Sequence, residues 1–126
     1  MLLIDTLISS DQGNGRAITT FGSDSIAADD SGELTPIISI ELMAQTYAAV
    51  KGWEITQAGK EFPVGYLVGV QKFENLGSGH INQELTIDVE TVGEFEGFAV
   101  VEGTVSNAES TLARGKIKLW VPEEEA

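Results

Sequence analysis

Between Thr35 and Trp53 the chain is apolar almost throughout, and a single carboxylate, Glu41, stands in that stretch one helical turn before Gln45. An ionised carboxylate taken out of water is strongly disfavoured unless it is paired, protonated or put to use. Enclosure among apolar residues favours the protonated acid, and such a carboxyl can pass a proton at neutral pH. An amide four residues further on lies on the same helical face and can orient it. Glu41 and Gln45 are therefore candidate catalytic residues, the other reading being a buried acid satisfied by backbone amides near the helix start and an ordinary interface amide.

Little else in the composition can do chemistry. There is no cysteine, so disulfides, thiolate nucleophiles and cysteine-based zinc sites are excluded, and the one histidine, His80, rules out a multi-histidine metal cluster. No metal and no cofactor is indicated. The formal net charge is −13, from 20 acids against 7 bases, which disfavours nucleic acid and anionic membranes as partners. Met1 to Asp5 is too short and lacks the basic flank of a signal peptide, and no run of about 18 apolar residues occurs. The expectation is a soluble, cytoplasmic protein with one domain over residues 1–121 and a solvated acidic tail over 122–126.

Thr35 followed by Pro36 fits the cap and first position of a helix, and Gly59 fits a stop, so a helix is expected from Pro36 to about Ala58. Ile37, Ile40, Ala44, Tyr47 and Ala48 form one stripe, while Ile38, Leu42, Met43 and Val50 make the other sides apolar, which predicts a helix enclosed by a sheet. Strands are expected at Leu2–Ile8, Arg16–Phe21, Tyr66–Phe73, Glu84–Glu90, Phe98–Val105 and Ala113–Val121, with a turn over Ser9–Gly15. Leu85, Ile87 and Val89 should share one buried face, and Lys116 and Lys118 should face water. The order β-β-α-β-β-β-β implies an α+β fold in which a curved antiparallel sheet wraps one central helix.

That order, with Met1-Leu-Leu-Ile-Asp5, Ile40-Glu-Leu-Met-Ala-Gln45, Gly65-Tyr-Leu-Val-Gly-Val70 and Arg114-Gly-Lys-Ile117 in succession, resembles the hotdog-fold 3-hydroxyacyl-acyl-carrier-protein dehydratase-like proteins of the ApeP-like branch. The resemblance implies a lyase-type site for an acyl thioester on an acyl-carrier protein or CoA, in fatty acid or polyene biosynthesis, in a homodimer. It implies Glu41 as the acid, with the stretch Ile37, Ile38, Ser39 and the pair Gly69, Val70 binding substrate and their amides holding the thioester oxygen.

In the proteins resembled, a histidine is the base, within a Pro-His just ahead of the Met-x-Leu-Leu-Asp block or within Gly-His-Phe-Pro. Neither stands in this sequence; the stretch corresponding to the second reads Ser25-Ile-Ala-Ala-Asp-Asp30. Three readings follow: a chain shortened at its N-terminus, a degenerate member that binds acyl chains without turning them over, or a thioesterase working with Glu41 alone. His80, between glycine-rich and strand segments, reads as a solvated loop residue. The cations Lys51, Lys60, Lys72, Arg114, Lys116 and Lys118 are either scattered solubilising charges or the ground for an acidic carrier protein.

Overall fold

The structure, a computed structural model, describes residues 4–11, 13–22, 29–57, 66–95 and 97–120, the side chains of 53–57, 66 and 95 excepted. The elements are β1 (Thr6–Asp11), β2 (Asn14–Thr20), α1 (Pro36–Gln57), β3 (Tyr66–Asn75), β4 (Glu84–Phe95), β5 (Phe98–Ser106) and β6 (Thr111–Trp120). Every strand pairing is antiparallel, and the sheet runs β1-β2-β4-β5-β6-β3, so β1 and β3 form its two rims.

Two-residue periodicity sets which side of the sheet is dry. On β5, Ala99, Val101, Gly103 and Val105 are buried; on β6, Ala113, Gly115, Ile117 and Leu119; on β4, Leu85, Ile87 and Val89. All face α1, which contributes Ile40, Leu42, Met43, Tyr47 and Val50 to the same core and packs on β1, β2, β4, β5 and β6.

The helix approaches the strands closely at two places where a side chain is absent. Gly103 and Gly115 are register partners on β5 and β6, and Met43 fills the notch they leave: a Cβ at Gly103 would lie 2.7 Å from Met43 Cγ. Further along, Val50 sits against Gly15 on β2.

The helix starts at Pro36 as expected, with the Ile38 amide donating to the Thr35 carbonyl at 3.0 Å, and it is followed to Gln57; Ala58 lies outside the described residues. The first strand is shifted from the expected Leu2–Ile8, of which Leu2 and Leu3 lie outside the description. It continues through Ser9 and Ser10 because Asp11 pairs with Asn14, leaving a two-residue connection whose Gly13 takes φ 83°. β4 runs five residues beyond the expected Glu90, because an irregularity between Thr91 and Gly93 shifts its register on β5 instead of ending the ladder. The turn between β5 and β6 is built on Asn107, whose Oδ1 accepts from the Glu109 and Ser110 amides at 2.9 and 2.8 Å.

Among the described residues two buried side-chain oxygens lack a hydrogen-bond partner, Gln83 Oε1 and the Thr46 hydroxyl, and Thr46 is fully buried. Replacing it with the similarly shaped valine removes an unsatisfied group, so Thr46→Val is expected to raise stability by about 1 kcal/mol in a denaturant titration.

Candidate active site on the open face of the helix

The expected enclosure of the helix on all sides does not occur. A six-stranded sheet covers one face of α1, and the stripe through Ile37, Glu41, Ala44, Gln45 and Ala48 looks away from it. Glu41 is exposed, Ile37 is 58% exposed, and Ala44, Gln45 and Ala48 are half-buried. The stripe read from the sequence as one face is thus divided: Ile40 and Tyr47 join Leu42, Met43, Thr46 and Val50 on the sheet side, whereas Ile37 is exposed and Ala44 and Ala48 are half-buried. The burial expected for Glu41 is not supplied by this chain's own sheet.

The rotation of the helix is fixed at its far half by a group that the sequence reading missed. The Tyr47 hydroxyl donates to Glu94 Oε1 at 3.2 Å, and Lys51 Nζ stands 2.8 Å from the same oxygen. Tyr47 and Lys51 are four residues apart on one face, and Glu94 reaches them because the shift after Thr91 sets Glu94 opposite the buried Ala99. A bulge of this kind leaves no simple mark in sequence. The signal available was the Tyr47/Lys51 spacing, which asks for a carboxylate partner.

The approach to the helix is held by Asp29. Its Oδ1 accepts from the Ser31 hydroxyl at 2.6 Å and from the Ser31 and Glu33 amides at 2.9 and 3.1 Å. These bonds hold the Asp29 carboxyl below its ordinary range, the Ser31 hydroxyl foremost, with the backbone amides and the charge of His80 adding to it and desolvation opposing. A depressed folded-state value stabilises the loop above the ordinary carboxylate range, and this stabilisation is lost as pH falls through the depressed value. The protection of the Ser31 and Glu33 amides relative to their intrinsic exchange rates is therefore expected to fall on acidification below about pH 4, and Asp29→Asn to remove most of that acid dependence.

The other sequence-selected residues divide into two groups. Ile38 and Ser39 are half-buried at the start of α1, and the Ile38 amide is already engaged by Thr35. Gly69 and Val70 belong to β3, at the rim beyond β6, with register irregularities on both sides of the pair. Val70 is opposite the buried Ile117 yet 43% exposed, and Gly69 is opposite Lys118 with open space where a Cβ would be. Leu67 and Val68 add to this exposed apolar rim, at 38% and 51%. His80 is exposed and pairs by backbone bridge with Glu33, ahead of the helix. Among the described residues no cluster of three metal-ligating side chains occurs, and no helix is long and apolar enough to cross a membrane.

An antiparallel six-stranded sheet laid over one long helix defines a hotdog-fold protein. The chain belongs to the ApeP-like dehydratase family, whose model, described as ApeP dehydratase, matches residues 1–126. Its fold is similar to that of the dehydratase heterocomplex ApeI:P from Xenorhabdus doucetiae, with TM-score 0.87 and 20% identity over 97% of this chain and 84% of that one. It is also similar to a hypothetical thioesterase with coenzyme A from Streptococcus pneumoniae, with TM-score 0.75 and 16% identity over 96% and 90%. A Streptococcus mutans protein bound to acetyl CoA has TM-score 0.74 and 17% identity over 95% and 90%. An alignment of 88 positions that covers 59% of the chain is 34% identical to a DNA ligase from Methanoculleus marisnigri. The chain spans only 16% of that ligase's length, too little to carry its activity over.

Proposed function

We propose that the chain is a dehydratase-type subunit acting on a 3-hydroxyacyl thioester, carried by an acyl-carrier protein or CoA, with Glu41 as the acid that protonates the departing hydroxyl. The observation that carries this reading is the position of Glu41. The one carboxylate between Thr35 and Trp53 lies on the helix face that the sheet leaves open, beside Gln45 and below the apolar Ile37.

A second chain completes the site. It covers the stripe of α1 together with Leu67, Val68 and Val70 on the rim, excludes water from Glu41, and brings a β3 segment with Gly69 and Val70 toward a helix start. Elimination also needs a base at C2. His80 lies against Asp29 and Glu33 and is not assigned that role, so in a heterocomplex the base comes from the second chain. The similarity to a heterocomplex supports a different chain there, and a homodimer is the alternative. The setting is cytoplasmic.

The assay uses a 3-hydroxyacyl thioester with the chain alone and with an ApeI-type subunit. Formation of the enoyl thioester supports the reading; release of free thiol without water loss supports hydrolysis by Glu41 as general base. Neither product from either sample leaves a non-catalytic acyl-binding module.

A further inference from the structure

One register row crosses the face of the sheet turned away from α1 with its charges sorted by sign. Glu90 on β4 is the partner of Glu102 on β5, Glu102 of Lys116 on β6, and Lys116 of Lys72 on β3. From β4 to β3 the row is minus, minus, plus, plus. Like charges directly opposite across a strand pair destabilise it, and this row holds two such pairs, one of each sign. Only the central Glu102 and Lys116 are joined across strands, at 3.4 Å. Lys72 lies 3.5 Å from Glu74 on its own strand with its side chain 70% exposed. Among the described residues no cation stands in ion-pair range of the exposed Glu90.

The surroundings of the row suit a second sheet of mixed charge. It crosses a hollow of about 740 Å³ whose lining holds five carboxylates and four cations, so a partner of one sign gains little there. Beside it, Thr86, Thr104 and Ser106 are small uncharged residues at outward positions of β4 and β5, which lets another sheet approach to the usual packing distance of about 10 Å. Six strands about 4.8 Å apart and about nine residues long present roughly 800 Å² of face. That is the area each partner gives to an interface of standard size.

We propose that this face joins two copies of the chain, sheet to sheet, about a two-fold axis parallel to the strands and midway between β5 and β6. Rotation about that axis reverses the strand order, so the row meets its own reverse. Glu90 then faces the second copy's Lys72, and Glu102 its Lys116, each contact occurring twice. An axis across the strands sets Glu90 on Glu90 and Lys72 on Lys72, so the sorted row selects one orientation and rejects the other. The neighbouring row of Arg16, Asp88, Thr104, Arg114 and Glu74 contributes less. There Asp88, which keeps Arg16 at 2.6 Å, is set toward the second copy's Glu74, and Arg114 meets its Thr104 hydroxyl. The contact uses neither α1 nor the β3 rim, so it leaves the Glu41 face free and doubles whatever assembly forms there. Being isologous, it closes after two copies.

The test is sedimentation of the full chain at about 100 mM salt, where long-range repulsion between two chains of charge −13 is screened. Glu90→Lys/Glu102→Lys makes the row all plus, and Lys72→Glu/Lys116→Glu makes it all minus. Each variant alone should sediment at half the natural mass, and an equal mixture of the two should restore it. Equal mass for the natural chain and both variants, or a mixture that stays at half mass, overturns the inference. Four like charges in one row load the fold, so a milder pair of variants gives a second measurement. The chain has no cysteine, and Glu90→Cys and Lys72→Cys chains are mixed under a mild oxidant. Position 90 should join position 72 about tenfold more often than either joins itself, because like positions lie at opposite ends of the row, about 14 Å apart and beyond disulfide reach. A random mixture of the three disulfides, or none at all, overturns the inference as well.

Discussion

A Glu41→Gln chain, assembled with its partner, is expected to turn over a 3-hydroxyacyl thioester about 10²–10⁴-fold more slowly than the natural chain, the range for loss of a positioned proton donor. Glutamine keeps the length and the hydrogen-bonding shape of the side chain but has no carboxyl proton to give. KM should change little, because apolar contacts along Ile37, Ala44 and Ala48 hold the acyl chain in ground state and transition state alike. The melting temperature should be preserved, since Glu41 is exposed in the single chain and makes no contact on which the core depends. Full activity in Glu41→Gln would remove this residue from the mechanism.

The second large effect is on folding. Gly15→Ala is expected to lower stability by about 3 kcal/mol and the melting temperature by roughly 10 °C in a thermal scan. A Cβ at Gly15 would overlap Val50 Cγ2 and come within 2.6 Å of the Ser9 carbonyl oxygen. The second of these is backbone, on a strand paired with β2 and tied to the helix by the Ser10 hydroxyl, 3.4 Å from the Val50 carbonyl. Neither neighbour can give way without moving α1 off the sheet. A variant Gly69→Ala is the contrast, since nothing lies within 4 Å of a Cβ there. An unchanged melting temperature in Gly15→Ala would mean that the helix is not seated as described.

Much of this architecture was legible in the residues. The alternation of Leu85, Ile87 and Val89, and of Lys116 and Lys118 against Ile117 and Leu119, placed strands and faces correctly because a sheet wet on one side reads as period two. Pro36 marked the helix start through its missing amide hydrogen. What escaped was the orientation of α1. Its composition is apolar on every side, so periodicity could not tell the face against the sheet from the face left open, and Glu41 was expected to be enclosed. The extension of β4 to Phe95 escaped as well, since the shift at Thr91 breaks the alternation on which a strand is read. Glu94 and its bonds to Tyr47 and Lys51 were lost with it. The bringing together of Lys72, Arg114, Lys116 and Lys118 is a matter of strand order, which pairs β3 with β6 and sets Lys72 opposite Lys116.

Both rims of the sheet are irregular: β1 slips between Leu7 and Ser9, and β3 slips twice, on either side of the Gly69 and Val70 pair. A slip of this kind breaks the even spacing of unpaired amides and carbonyls that an incoming strand would have to match. Pairing along β3 is therefore confined to short stretches that suit one particular counterpart, and neither rim offers the long regular template on which chains add one after another into fibres.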